Sequence, residues 1–343
     1  MKVGFAKVDI TPRVGVESML KKGFLVAAMI FAVHGLHGEA PNADSVPEIC
    51  AFRHGCRAAL SLTFDDGTSD HLQVGAPLIE KYGLKGTFFI TVSWIGKPYF
   101  LNWAEVKELS ARGHEIGNHT MTHKALATLS AKNKSAVEQE INEPLEIIKE
   151  KIGVTPLTFA YPFTSYNDEV RLVAEGLHIA CRMKHRQIGG KGFTADKANR
   201  IIDALIEKGA DSSEIIHAII PFPDAYCAFD SVDIFEEHLK HIKAREGDLW
   251  TDTFANVAKY KQNRDFCSVE ILGKNEDNQV FVLKPVDGYK PYNDMPLTIK
   301  FPDESKIKTV TQAGNTIPVR QKNGVAYFDI IPGTNSPVTV TFN

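Results

Sequence analysis

The stretch "ALSLTFDDGTSDH", from Ala59 to His71, decides the fold class of this chain. Its first half is an apolar run that predicts a buried strand, and the run ends in two adjacent aspartates followed by a glycine. Because neighbouring strand residues point to opposite faces, Asp65 and Asp66 should have different roles. Two adjacent carboxylates also repel each other unless a cation or a proton lies nearby. The stretch therefore predicts a strand that ends in a charged site.

A strand–helix alternation continues along most of the chain. Further predicted strands are Gly86–Val92, Leu157–Phe163, Glu214–Ile220 and the segment "DLWT" at 248–251. The predicted helices are Thr68–Tyr82, Asn102–Gly113, 130–152, 196–208, 232–245 and Phe254–Lys261. Asn102 and Glu105 form a capping box at the start of the second helix, and Pro144 predicts a kink in the third. Such alternation implies parallel strands covered by helices, and about seven units favour a distorted (β/α) barrel over an open doubly wound sheet. No Gly-rich nucleotide-binding loop follows the first strand.

The pattern changes from Phe266 onward. Segments such as "QVFVLKP" and "PVTVTFN" alternate or run apolar, and Gly, Pro, Asn and Asp residues separate them. This predicts a small C-terminal antiparallel domain that resembles a β-sandwich. Its aromatic residues include no tryptophan and are spaced like core residues, which favours a packing or spacer role over carbohydrate binding. We expect an α/β domain at 41–264 and the β domain at 265–343, after a leader at 1–40.

The leader contains a segment typical of secretory signal peptides. Residues 19–40, "MLKKGFLVAAMIFAVHGLHGEA", comprise two lysines, an apolar core and small residues at Gly38 and Ala40. The alternative is a buried helix of the fold. On the signal-peptide interpretation the true start is Met19, residues 1–18 lie upstream of it, and the protein is secreted or periplasmic.

Composition excludes several classes of protein. The chain of 343 residues has a net charge of −3 and is 43% hydrophobic, which gives no electrostatic reason to expect nucleic acid as a partner. No apolar run approaches the roughly 20 residues that span a bilayer. Five cysteines occur without a CxxC pair. Cys50 and Cys56 are close enough in sequence to form a disulfide in an oxidising compartment, and separate thiols are the alternative.

Two histidines point to a metal ion near the paired aspartates. In "HTMTH", His119 and His123 are four positions apart, so their imidazoles lie one above the other if the segment is helical. A carboxylate with two histidines is a common donor set for Zn²⁺ and related ions, and Asp66 can supply the carboxylate. Each motif alone has an ordinary structural explanation, namely surface histidines or a capped turn. Their occurrence at the ends of two predicted strands favours a shared site, because these ends form the active face of a (β/α) barrel.

Four motifs appear in order along the chain: "TFDDG" (Thr63–Gly67), "HTMTH" (His119–His123), "FAYPF" (Phe159–Phe163) and "IIH" (Ile215–His217). Together they resemble the motifs of the polysaccharide deacetylases, carbohydrate esterase family 4, over roughly 57–261. This family includes chitin-oligosaccharide and peptidoglycan deacetylases. The resemblance implies a distorted (β/α) barrel and an acetylated polysaccharide or oligosaccharide as substrate.

The resemblance also implies roles at the metal site. Carried over by position, Asp66, His119 and His123 ligate one divalent ion, Zn²⁺ or alternatively Co²⁺, Ni²⁺ or Fe²⁺. Asp65 is then the general base, which takes a proton from the water that attacks an acetyl carbonyl.

Four further residues have assignments with structural alternatives. The resemblance implies that the Phe163 backbone N–H completes an oxyanion hole and that His217 protonates the leaving group. A histidine within an apolar strand is otherwise a packed core residue. Tyr161 and Trp250 are candidate substrate contacts. A core position explains Trp250 equally well, and a tyrosine in a strand, such as Tyr161, is more often structural.

The chain departs from the family pattern in two places. Ala160 stands where the third motif normally has an arginine that orients the base. Arg182 is the best candidate substitute, because it follows the short apolar run "LHIAC" and its guanidinium can donate two parallel hydrogen bonds to a carboxylate. No clear Asp-Trp motif lies between Pro162 and His217, so the residue that tunes the catalytic acid is unidentified.

Three functions are compatible with these residues. The first is a metal-dependent hydrolase that removes N-acetyl groups from an amino-sugar polymer. The second is an O-acetyl xylan esterase with the same site and an alcohol leaving group. The third is a non-catalytic, metal-containing carbohydrate-binding protein, which the missing motif arginine favours and the intact Asp65 and His217 oppose. The oligomeric state has no signature in the sequence.

Overall fold

The computed structural model describes residues 46–183, 185–223, 225–301 and 307–343, and the leader with its signal-like segment lies outside this part. The chain divides into two compact units. Of the described residues, those from 51 to 262 form the first, the barrel unit, and 46–50 together with 263–301 and 307–343 form the second, the β unit. Strand β1 (Glu48–Ile49) belongs to the β unit, whereas the sequence boundary at residue 41 assigned it to the α/β domain.

The barrel unit contains a parallel sheet. Its strands are β2 (Ala58–Asp66), β3 (Thr87–Ile90), β4 (Glu115–Asn118), β5 (Thr158–Ala160), β6 (Ala180–Arg182), β7 (Arg186–Gln187), β8 (Asp211–Ile216) and β9 (Leu249–Thr251). Their order is β6-β5-β4-β3-β2-β8-β7, with β9 also paired to β2, and every pair is parallel. This is the sheet of a distorted (β/α) barrel, as predicted. All the strands therefore present their carboxyl ends at one edge.

The helices follow the predicted alternation, with differences at their ends. They are α1 (Ala76–Lys81), α2 (Trp103–Ala111), α3 (Leu126–Ser130), α4 (Lys134–Ile152), α5 (Asp168–Leu177), α6 (Ala195–Lys208), α7 (Val232–Ala244) and α8 (Phe254–Phe266). The predicted capping box is present, since the Asn102 side chain accepts from two backbone N–H groups of α2 and the Glu105 carboxylate accepts from Asn102 N–H. The segment predicted as one helix from Thr68 instead contains a π-helical turn, His71–Gly75, before α1.

The alternation of β2 determines which way the first aspartate faces. Phe64 points toward the helical layer, where its ring stacks on Phe88 at 4.6 Å and meets Phe235 of α7 edge-on at 6.3 Å. Burying such a ring contributes roughly 1.5–3 kcal/mol. The neighbours Thr63 and Asp65 consequently point the opposite way, into the barrel.

At the amino ends of the strands, the buried carboxylate of Glu115 connects the sheet to α8. Glu115 accepts hydrogen bonds from Thr87 Oγ1 and Ala255 N–H, both at 2.8 Å, and from the Thr158 hydroxyl. Burial raises the pKa of Glu115, and these three donors favour its charged form. The cluster thereby connects the amino ends of three strands with the first turn of α8, away from the strand ends that carry the motifs.

The β unit is a pair of antiparallel sheets. Its remaining strands are β10 (Cys267–Lys274), β11 (Asn278–Pro285), β12 (Leu297–Phe301), β13 (Ile307–Gln312), β14 (Asn315–Thr316), β15 (Arg320–Lys322), β16 (Val325–Ile330) and β17 (Val338–Phe342). One sheet has the order β1-β12-β16-β15 and the other β10-β11-β17-β13-β14. The rings of Phe281 and Phe328, from different sheets, lie 6.5 Å apart, and both side chains are fully buried. The sandwich-like arrangement is as predicted.

Two sequence questions are answered by the fold. None of the five cysteines, all of which lie among the described residues, is in a disulfide, so the alternative of separate thiols holds for Cys50 and Cys56. Burial raises the pKa of the Cys50 thiol to about 12. Among the described residues, none of the helices combines the length and apolarity that a membrane span requires.

Candidate active site

The carboxyl ends of the parallel strands surround a cavity of about 810 Å³. The predicted site residues that line it are Asp65, Asp66, His119, His123, Tyr161, Phe163, Arg182 and His217. They come from β2, β6 and the segments that follow β4, β5 and β8. Residues distant in sequence thus converge at the face where the barrel topology places them.

Asp65 is held by Arg182. The guanidinium donates from Nη1 to Asp65 Oδ1 at 2.7 Å and from Nη2 to Oδ2, which is a bidentate pair, and both residues are buried. Arg182 also donates to Thr63 Oγ1 at 2.7 Å and lies over the Phe89 ring at 4.9 Å. Arg182 on β6 is the ladder partner of Ala160 on β5. The neighbouring strand thus supplies an arginine at the same height along the barrel as the position where the motif arginine is missing. The structure brings together the pair predicted from the sequence.

This pairing determines the charge of Asp65. Burial alone would raise the pKa of the carboxyl, but the adjacent guanidinium of Arg182 and the nearby His119 outweigh it and hold the pKa well below its ordinary value. Asp65 is therefore ionised at neutral pH, and its orientation is determined by two parallel hydrogen bonds.

Asp66, His119 and His123 form a group with metal-ligand geometry. Their ligand atoms all lie within 4.8 Å of one another. Asp66 Oδ1 is 3.3 Å from His123 Nε2 and 3.6 Å from His119 Nε2, yet this buried oxygen accepts no hydrogen bond from any residue that the structure describes. His119 Nδ1 is 2.8 Å from the Ala160 carbonyl, which assigns the proton to Nδ1 and leaves the Nε2 lone pair facing Asp66. One hard oxygen and two imidazole nitrogens fit a divalent ion.

The charges around this group also suit a cation. Burial and the neighbouring Asp65 charge raise the pKa of Asp66 to about 7. Burial lowers the pKa of His119 to about 3 and also lowers that of His123, so both imidazoles are neutral at physiological pH. A neutral imidazole is the form that binds metals.

The segment that carries both histidines is an irregular loop, which excludes the helical arrangement. Thr120 and His123 have φ values of 71° and 60° in the left-handed region that non-glycine residues rarely adopt. Asp66 shares this feature with a φ of 78°. The two imidazoles consequently meet edge to face at 4.9 Å rather than one above the other. Strained backbone of this kind concentrates at functional sites, where surrounding contacts must hold it in place.

His217 follows β8 directly, and two residues of the opening stretch bond to the backbone between His217 and Ile220. The His71 imidazole bonds to the His217 carbonyl through Nε2. Asp70 Oδ2 accepts from the N–H groups of Ile219 and, at 3.1 Å, Ile220, while Thr68 donates to Asp70 Oδ1 at 2.6 Å. Sequence reasoning missed these supports. The available signal was that Asp70 and His71 close the same stretch as the paired aspartates.

The His217 ring faces the cavity in a largely buried setting. Burial lowers its pKa to about 4, and the nearby Asp65 carboxylate acts in the opposite direction. The ring lies edge-on to Tyr226 at 4.7 Å. Its Nδ1 has no hydrogen-bond partner among the described residues, which agrees with the absence of a recognisable Asp-Trp motif.

Phe163 and Tyr161 both reach the cavity, in different ways. Phe163 has a left-handed φ of 56°, its side chain is 71% exposed, and its ring meets the His123 ring at 4.7 Å. Tyr161 is only 3% exposed and packs against Phe159 and Tyr166, each at 4.9 Å. Tyr161 is thus mainly part of the cavity wall.

The structure does not bring Trp250 to the site, which corrects its assignment as a substrate contact. Trp250 on β9 is the ladder partner of Ala59, near the opposite end of β2 from Asp65. Its side chain is buried and packs against Tyr260 at 5.3 Å. The core alternative is therefore the correct one.

Other residues that line the cavity were not singled out from the sequence. They are Thr68, Trp94, Phe100, Thr164, His185, Gln187, Ile215, Ala218, Phe222 and Tyr226. Several are aromatic, and Tyr226 is 62% exposed. The signal that could have found them is the clustering of aromatic residues in loops that follow β3 and β8.

Comparison with known proteins finds several that are similar to this chain. Residues 53–181 match the family model of the polysaccharide deacetylases. A gellan lyase from a Bacillus species is 23% identical over 355 aligned residues, covering 89% of this chain and 14% of the relative. Chitin deacetylase 1 of Cryptococcus neoformans var. grubii is 32% identical over 114 residues, covering 33% of this chain and 23% of the relative. A solved structure from Mycobacterium smegmatis, of polysaccharide deacetylase type, has a TM-score of 0.51 at 15% identity and covers 68% of this chain and 99% of that one.

These matches confirm the resemblance seen in the motifs. The segment that carries the first three motifs matches the model of the polysaccharide deacetylase family, as the motif resemblance predicted. The solved structure supports the fold of the barrel unit. The chain spans less than a quarter of the length of either curated relative.

Proposed function

We propose that this protein is a metal-dependent hydrolase that removes N-acetyl groups from an amino-sugar polysaccharide or oligosaccharide. The observation that carries the proposal is the ionised, bidentately held Asp65 beside the Asp66, His119 and His123 donor group, with His217 in the same cavity. We include export directed by residues 19–40 in this proposal, because its substrates are extracellular polymers.

Asp66, His119 and His123 would hold the ion, for which Zn²⁺ is the first choice. A divalent ion at this position, when bound, polarises an acyl carbonyl and acidifies water. The imidazoles are neutral and His119 is oriented by the Ala160 carbonyl, so this donor set needs little rearrangement to bind a cation.

Asp65 is the general base in this proposal. Asp65, and not Asp66, is hydrogen-bonded to Arg182, so the two aspartates can have separate roles as base and as metal ligand. Arg182 keeps Asp65 ionised and aimed into the cavity, where the carboxylate accepts the proton of the attacking water. The strong pair with Arg182 makes the Asp65 carboxylate a weaker base, but it also holds the carboxylate in a single orientation toward the cavity.

His217 and Phe163 complete the proposed machinery. His217 would protonate the leaving nitrogen. Because burial holds its pKa at about 4, the ring is neutral in the resting protein and has to gain a proton during turnover. The attacking water supplies that proton by way of Asp65, whose carboxylate favours the charged ring. The backbone N–H of Phe163, in the strained turn next to His123, would donate to the oxygen that becomes negatively charged.

The test is an acetate-release assay of the Zn²⁺-reconstituted full chain on N-acetylglucosamine oligomers, peptidoglycan and acetylated xylan in parallel. We expect release from an N-acetylated substrate and none after chelation. Release from xylan alone would replace the proposal with an O-acetyl esterase. Saturable binding of oligomers without release from any substrate would identify a carbohydrate-binding protein. His217→Ala, measured alongside, should reduce turnover by about 100-fold or more while Zn²⁺ still binds.

A further inference from the structure

The histidine loop, residues 119–123, has a backbone whose hydrogen bonds can be followed one by one. The N–H donors and their acceptors are His119 to Ile90 O at 3.0 Å, Thr120 to Asn118 Oδ1 at 2.9 Å, Met121 to Glu140 O at 3.0 Å, Thr122 to Glu140 Oε2 at 2.7 Å and His123 to Thr120 Oγ1 at 2.9 Å. Two consecutive donors in the middle of the loop therefore depend on one residue of α4. Glu140 also accepts from the Thr122 hydroxyl through Oε1.

The carbonyl of Glu140 is free to act in this way because of Pro144. In an α-helix the carbonyl of residue 140 accepts from the N–H of residue 144, and proline has no N–H. The proline ring also clashes with that same carbonyl and pushes it away from the helix axis. Helix α4 nevertheless runs on through Pro144 to Ile152. The next carbonyl, that of Ile141, accepts from Asn118 Nδ2 at 2.8 Å, so α4 offers two successive carbonyls to the segment that carries the histidines.

We propose that Glu140 and Pro144 are positioning residues for the metal site: Pro144 releases the Glu140 carbonyl, and Glu140 holds the histidine loop in the conformation that directs His119 and His123 at Asp66. The inference rests on the proposed metal-dependent function. Neither residue touches the cavity. Glu140 is 5% exposed, and its carboxylate is occupied by Thr122 and, at 3.3 Å, by the ammonium group of Lys124.

The strained backbone of the histidine loop is the reason why the loop needs the bonds to Glu140. Thr120 and His123 adopt left-handed φ values, which cost free energy that neighbouring contacts must offset. The bonds to Glu140 lie between these two residues. Without them the loop can relax, and the two imidazoles lose their common target.

Pro144→Ala separates positioning from general stability. Alanine restores an N–H at 144, which draws the Glu140 carbonyl back toward the helix axis and away from Met121. Alanine is also a far better helix former than proline, which offsets the loss of the buried proline ring, so the metal-stripped protein should melt close to the temperature of the wild type. Zn²⁺ affinity, measured by isothermal titration of the full chain, should nevertheless weaken by about 3- to 10-fold.

Substitutions of Glu140 complete the test. Glu140→Ala removes the carboxylate that holds Thr122, between the two histidines, and should weaken Zn²⁺ binding by about 10- to 100-fold, the range typical for loss of groups that orient metal ligands. Glu140→Gln should largely rescue it, because the amide can accept from Thr122 N–H and donate to its hydroxyl. Glu143→Ala, an exposed carboxylate on the same helix, is the matched control and should bind Zn²⁺ like the wild type.

The outcomes are distinguishable. If the wild-type chain binds no divalent ion, the proposed function fails and this inference fails with it. If the wild type binds Zn²⁺ but Pro144→Ala and Glu140→Ala bind it equally well, only the positioning role is overturned. If Glu140→Ala does not fold, Pro144→Ala decides the question, and wild-type affinity in that variant contradicts the inference.

Discussion

Replacing Arg182 tests the most unusual feature of the site. The change is Arg182→Lys, which keeps a positive charge but loses the planar fork. In the structure the guanidinium makes two parallel hydrogen bonds to Asp65 and a third to Thr63. A lysine ammonium has its charge on a single nitrogen. It can therefore make only one of the two parallel hydrogen bonds that the guanidinium donates to the Asp65 carboxylate.

The size of the effect follows from these contacts. A hydrogen bond to a charged group contributes roughly 1.5–3 kcal/mol. Because about 1.4 kcal/mol corresponds to a tenfold change in rate, losing one of the two bonds should lower kcat/KM by about 10- to 100-fold. Arg182 makes no hydrogen bond to Asp66, His119 or His123, so Zn²⁺ affinity should stay within about threefold of wild type.

The assay is steady-state acetate release together with Zn²⁺ titration of the same preparations. The double variant Arg182→Ala with Ala160→Arg is a matched rescue, because residue 160 is the ladder partner of residue 182 and an arginine there starts from the same level of the barrel. It should recover at least about tenfold of the activity that Arg182→Ala loses. Wild-type kcat/KM in Arg182→Lys would refute the reasoning, and so would a loss of Zn²⁺ binding equal to the loss of activity.

Three further predictions follow from other contacts. Asp65→Asn should reduce acetate release by at least about 100-fold while Zn²⁺ affinity remains nearly intact, since Asp65 transfers a proton and does not ligate; loss of metal in this variant would require the roles of base and ligand to be reassigned. Phe64→Ala should lower the free energy of unfolding in urea by about 3–5 kcal/mol, because it removes a fully buried ring stacked on Phe88; a loss below about 1 kcal/mol would contradict this packing. Hydrogen bonding from Arg112 lowers the pKa of Glu80 from 4.5 to about 2, so the stabilisation by this ion pair is complete above pH 4.5 and is lost as the pH falls toward 2. In thermal melts between pH 5 and 2, the melting temperature of Glu80→Gln should therefore fall less steeply than that of the wild type. Equal falls in melting temperature would show that the ion pair adds no stability.

The sequence by itself determined the features that local patterns encode. The apolar run before Asp65 specifies β2, the Asn102–Glu105 capping box specifies the start of α2, and the strand–helix alternation specifies a parallel sheet. Parallel topology then brings the residues after each strand to one edge, which is why the sequence alone predicts His119 and His217 near Asp66. These signals lie within short windows, where propensity and periodicity act directly.

Only the tertiary structure decided how side chains meet across long separations. Arg182 and Asp65 are 117 residues apart, and their contact depends on the register that places Arg182 beside Ala160. Trp250 lies in the core rather than at the site because β9 pairs near the start of β2, and sequence periodicity carries no information about that register. The bond between Met121 and the Glu140 carbonyl likewise requires α4 to pack beside the histidine loop. Pro144 is visible in the sequence as a helix irregularity, but the carbonyl it releases acquires a partner only when the barrel is assembled.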